Sequence, residues 1–223
     1  FIMTASVWLN YVGPLGVGGS GSTQLGMMGW GTAGTNAQWA GNTLAQRDSV
    51  FFGATTDGNS ATDYRAYSSA ALTSYASGNA VYAAPGGLIN DTSPYYQAAF
   101  APQAAPAAQL GLFPGQTGST RIGSAGFKWR TWRVEKAGNN LTYSIDGLLI
   151  ATVNLSTVTT SATKNILIGF ADTNGTSSTA VTGDPNGLNT MIVDNVRVQV
   201  VPEPGTMVAL GLGVAAMLRR RRK

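Results

Sequence analysis

The chain has 223 residues, long enough for one sizeable core, and it is rich in glycine (29) and poor in charge (11%), which suits short strands joined by many turns. It contains neither Cys nor His, which excludes a disulfide framework, His-based acid–base catalysis and the commonest zinc ligand. The formal net charge is +4, but five of the 14 basic residues are the terminal 219–223; without those five, nine cations face ten acids, and the body offers no basic surface for nucleic acid.

The opening "IMTASVWLN" alternates, with Met3, Ala5, Val7 and Leu9 on one side and Thr4, Ser6 and Trp8 on the other. Period two predicts a strand that is already under way at Phe1, and an export signal is expected to have been removed or to lie upstream. Residues 11–41 are too glycine-rich for a helix and read as loops with short strand pieces. "SVFFGA" (49–54) is a short apolar strand, Asp57-Gly58 a turn, and 64–67 a further strand. Residues 83–119 form a long excursion in which Pro85, Pro94, Pro102, Pro106 and Pro114 forbid a central strand or a long helix.

The clearest pattern spans 127–153. A strand over 127–136 meets a Gly-Asn-Asn turn, and Leu141, Tyr143 and Ile145 then share one face of the next strand. Asp146-Gly147 is a two-residue hairpin turn, because glycine accepts the positive φ such a turn needs, and 148–153 is the return strand. "NILIGFA" (165–171) is another strand, and 191–200 closes the body with Val196, Val198 and Val200 on one face. The fold class expected is all-β: two antiparallel sheets packed face to face, forming a jelly-roll sandwich over 1–200.

The meander "WRTWRVEKAGNNLTYSIDGLLIATV" and the closing "IVDNVRV" resemble concanavalin-A-like and laminin-G-like jelly rolls of bacterial surface proteins. The resemblance implies a scaffold that hosts lectins, adhesins, glucanases and structural modules alike. The C-terminal 201–223 resembles the sorting signal of PEP-CTERM proteins: Val201, Pro202, Glu203 and Pro204, an apolar helix over 206–218, and a basic end led by Arg219, Arg220, Arg221 and Arg222. That family implies a partner, the membrane enzyme exosortase, which recognises and processes the signal. Physical reasoning from the residues agrees. The apolar residues 207–218 would span about 18 Å as a helix, against a hydrocarbon core roughly 30 Å thick, so they form a short transmembrane anchor helped by arginine snorkelling. Cations belong on the cytoplasmic side, which places the body outside.

Catalytic residues are not found. Glycoside hydrolysis needs two flanking carboxyl groups, yet only two Glu occur, Glu203 in the tail and Glu135 among basic neighbours. Oxygen-rich loops at 57–59, 172–175 and 184–187 make Asp172, Asn174, Asp184 and Asn186 candidates for Ca²⁺, although Asp, Asn and Gly are also the preferred turn formers and turn chemistry is the favoured reading; no metal or other cofactor is assigned. Trp30, Trp39, Tyr95 and Tyr96 lie in loop-like segments and are candidates to stack on a sugar, unless they cover core edges instead. The function expected is therefore a non-enzymatic surface or matrix protein of a Gram-negative-type bacterium, anchored or released. The alternatives are a carbohydrate-binding module of the exopolysaccharide layer and, third, a divergent glycoside hydrolase.

Overall fold

The computed structural model describes residues 1–10, 24–56, 60–71, 73–114, 118–172, 189–200 and 217. Among the described residues, nine strands make two antiparallel sheets. One holds β1 (Ile2–Leu9), β5 (Arg130–Ala137), β6 (Asn140–Ile145), β7 (Leu148–Asn154) and β9 (Met191–Gln199) in the order β7-β6-β5-β1-β9. The other holds β2 (Gln24–Thr32), β3 (Val50–Ala54), β4 (Tyr64–Tyr67) and β8 (Asn165–Asp172) in the order β4-β3-β2-β8.

The core lies between them. Met3, Ala5, Val7 and Leu9 of β1 meet Trp132 and Val134 of β5, Leu141, Tyr143 and Ile145 of β6, and Met28, Val50 and Phe52 from the facing sheet. The alternation read in β1 and β6 is thus a burial alternation, one face on the core and one toward solvent. The hairpin at Asp146-Gly147 has φ of 51° and 84°, as a primed two-residue turn requires. Asp146 does more than turn the chain. Its Oδ1 accepts the N–H of Thr131 at 2.7 Å, and its Oδ2 pairs with the buried Arg130 guanidinium at 2.9 Å. That guanidinium lies 4.7 Å over the ring of Phe100, which ties the long excursion to the sheet.

The structure departs from the sequence reading in several places. The glycine-rich stretch contains β2, nine residues buried along their whole length and paired on both sides, with β3 and with β8. Its outer face is covered too: Leu25, Met27, Phe51 and Tyr67 pack together beneath Arg47, whose guanidinium lies 5.8 Å and 5.4 Å from the Phe51 and Tyr67 rings. A strand buried on both faces has no polar side to alternate with. The strand expected from 127 starts at Arg130, because Phe127 has a φ of 55° and ends a turn. Among the described residues the excursion holds two short α-helices, α1 (Pro94–Gln97) and α2 (Ala107–Leu112), which Pro94 and Pro106 permit because the first opens α1 and the second caps the start of α2. Val196 and Val198 do share a face, but each is 48% exposed. The expected helix over 206–218 lies outside the described residues apart from Met217; among the described residues no helix is long and apolar enough to cross a membrane.

Candidate functional site

A cleft of about 550 Å³ lies on the flank of the four-stranded sheet. Its floor is β8, contributing every residue from Ile166 to Ala171, together with Met27 of β2. Its wall is the loop that follows β2, and local polar bonds hold that loop in shape. Thr32 Oγ1 accepts the N–H of Gly34 at 3.0 Å, Asp48 Oδ2 accepts that of Ala33 at 2.7 Å, and Asn165 Nδ2 donates to the carbonyl of Ala33 at 3.1 Å. Gln38 is saturated: its amide donates to the carbonyl of Gln46 at 2.8 Å, and its Oε1 accepts from Ser49 Oγ at 2.9 Å. Trp39 packs close against Gly41, where a Cβ would fall 2.4 Å from the indole. The ring remains 39% exposed at the cleft.

The four aromatic candidates therefore separate. Trp39 alone borders the cleft. Trp30 is a core residue, with Phe1 stacked on it at 5.6 Å and Lys164 Nζ 5.1 Å from its ring. Tyr96 is fully buried, stacked on Tyr64 at 4.1 Å, and its hydroxyl donates to the Leu88 carbonyl. Tyr95 is half-buried edge-on to Tyr96, and its hydroxyl donates to the Leu149 carbonyl at 2.7 Å. The loop reading of 30 and 95–96 is corrected: Trp30 lies in a strand, and the two tyrosines lie in α1 and cover a core edge.

Among the Ca²⁺ candidates, Asp172 closes β8 and its Oδ2 accepts from Asn189 Nδ2 at 3.2 Å. Asn174, Asp184 and Asn186 lie outside the described residues, as does the 57–59 loop. Among the described residues no group of three or more acidic side chains is placed to hold a metal ion. Sequence reasoning passed over the pair Asp63 and Asp91. Both are buried, and the N–H of Asp91 donates to Asp63 Oδ2 at 2.7 Å. Burial, and then the charge of Asp91, pushes the Asp63 carboxyl well above the usual range. Burial raises Asp91 to about 6, against the opposing pull of Arg121 at 3.7 Å. The bond between them clamps the segment at 91 to the residue that precedes β4.

Residues 200–223 match the PEP-CTERM protein-sorting motif. The motif implies export and sorting at the bacterial membrane by exosortase. No curated protein and no solved structure matches the chain. The named tail residues, Val201 to Pro204 and Arg219 to Arg222, fall within the matched stretch and outside the described residues.

Proposed function

We propose that the chain is a non-catalytic structural or adhesive protein of the cell surface or extracellular matrix, its body a jelly-roll sandwich tethered, or tethered and then released, through the tail. The match at 200–223 carries this reading. The two-sheet body supports it, because such sandwiches serve as rigid display scaffolds. The parts of the tail have separable jobs. The apolar run holds the chain at the bilayer, and the cations stop it passing through. Pro202, Glu203 and Pro204 present a stiff charged segment to the processing enzyme. Glu203→Ala is expected to leave folding and export intact and to abolish processing in a host that carries exosortase. Intact mass and membrane fractionation check it: the variant stays full-length and membrane-bound, whereas the parent is shortened near residue 203. Equal masses and equal partition would make the tail an ordinary anchor.

A second reading, a carbohydrate-binding module of the exopolysaccharide layer, is favoured by the half-exposed Trp39 beside the cleft. Trp39→Ala on a glycan array distinguishes the two, since only the second reading expects sugar binding that the substitution removes.

A further inference from the structure

β8 ends the four-stranded sheet, and among the described residues no strand pairs with its outer edge. The ladder fixes which backbone groups lie there. The N–H of Thr55 donates to the carbonyl of Asp63 at 2.8 Å, so odd-numbered residues of β3 bond toward β4 and even-numbered ones toward β2. The pairs Gly26–Ala54 and Met28–Phe52 carry the alternation across, leaving Leu25, Met27 and Gly29 to bond Ala171, Gly169 and Leu167 of β8. The N–H and C=O groups of Ile166, Ile168 and Phe170 then point away from the sheet. The cleft agrees. It touches six consecutive residues of β8, whose side chains alternate between the two faces, so it reaches the strand's edge as well as the outer face at Met27.

Two further observations say what fits there. The facing sheet has five strands against four, and on this flank Val196 and Val198 of β9 stay half-exposed although their neighbours Met191 and Val193 on the same strand pack against the core. A strand added beside β8 would lie across from them. The two edges of this flank also differ in protection. β9 carries Asp194, Arg197 and a bulge at Asn195 (φ 51°), the usual guards against edge pairing. The stretch from Asn165 to Ala171 has no charge and no proline.

We propose that β8 pairs with β8 of a second copy of this chain, antiparallel about a two-fold axis at Ile168. In this register Ile166 faces the partner's Phe170, Leu167 faces the partner's Gly169, and core-side residues meet core-side residues throughout. Lys164, the residue just before β8 (φ 57°), comes beside the partner's Asp172 at the end of the ladder, twice by symmetry, so that exchanging its bond to Thr160 Oγ1 for that carboxylate brings opposite charges together at both ends. A one-residue slip sets core-side against outer side chains. A two-residue slip sets Lys164 against the partner's Phe170, or Asp172 against the partner's Ile166. The pattern is self-complementary in one register, which favours a second copy over an unrelated peptide.

The chain has no cysteine, so a single introduced thiol reports the contact. In the full-length chain kept in mild detergent, Ile168→Cys is expected to oxidise to a covalent dimer, since directly opposed residues sit about 5.5 Å apart at Cα, within disulfide range. Val196→Cys, on the guarded edge, stays monomeric. Lys164→Glu added to Ile168→Cys loses the dimer, as does Asp172→Lys, and mixing the two charge variants restores it as a heterodimer; far-UV circular dichroism confirms that each variant folds. A chain that stays monomeric with Ile168→Cys, cross-links equally through Val196→Cys, or fails to recover on mixing overturns the proposal.

Discussion

The meander of β5, β6 and β7 and the paired strands β2 and β3 both depend on glycine, for opposite reasons. In the meander the glycines are turns: Gly138 and Gly147 have φ of 55° and 84°, and a Cβ added at either would meet nothing within 4 Å. In β2 and β3 the glycines are strand residues that make room. A Cβ at Gly29 would fall 2.5 Å from the carbonyl oxygen of Val50, one at Gly26 2.8 Å from Leu9, and one at Gly53 2.7 Å from Leu25. The first group is needed for a backbone conformation that other residues resist, the second for a distance that other residues overfill. The meander hairpins are set by local torsion, whereas the β2–β3 pair is set by what packs over it from both faces.

The comparison breaks first where both requirements coincide. Gly123 has a φ of 92°, and a Cβ there would sit 2.0 Å from the carbonyl oxygen of Asp91, beside the carboxylate clamp, with the Tyr64 hydroxyl bonded to Gly123's own carbonyl. Gly123→Ala is expected to cost more than about 3 kcal/mol, at or beyond the upper end of overpacking penalties, and Gly29→Ala about 3 kcal/mol, because the obstacles are backbone atoms that have nowhere to go. Chemical denaturation midpoints at fixed m-value test both. If either variant unfolds at the parental midpoint, the close approach is not a packing requirement.

Next in size is the purely conformational case. Gly147→Val is expected to cost about 1–2 kcal/mol, the penalty for a side chain in the left-handed region. Gly147→Asn should lose less, since asparagine tolerates that region better. Equal midpoints for parent, Val and Asn variants would mean that the turn at Asp146-Gly147 is not primed.

These two groups also explain which parts of the molecule were legible in the sequence. Torsion is a local property, so Asp146-Gly147 announced its hairpin, and β1 and β6 announced their faces by alternation. Packing distance is not local. "GMMGWG" reads as a loop because its glycines answer to Phe51, Leu9 and Met191, residues distant in the chain. The choice for Trp30 and Tyr96 between stacking on a sugar and covering a core edge stays open in the sequence on the same ground, and the row of Val196 and Val198 shows its face but not that each is half-exposed. The cleft joins the loop at 34–39 to β8 and had no sequence signal beyond Trp39 itself. The tail was legible because its signal is three segments in order, with no folding needed to assemble them.

The smallest effect expected comes from a glycine that meets neither requirement, and it has the opposite sign. Gly111 lies in the exposed helix α2, with no left-handed φ and nothing within 4 Å of an added Cβ. There glycine only enlarges the freedom lost on folding, a cost of roughly 0.5–1 kcal/mol relative to alanine inside a helix. Gly111→Ala should therefore stabilise the chain by about 0.5 kcal/mol, toward the low end because α2 is only six residues long and its ends fray. The shift is near the limit of a denaturation curve, so it is best read as slower amide exchange within α2 together with a slightly raised midpoint. A destabilised Gly111→Ala variant would show that this glycine, too, is held close by a neighbour, and the division between turn glycines, packing glycines and dispensable ones would fail at its simplest member.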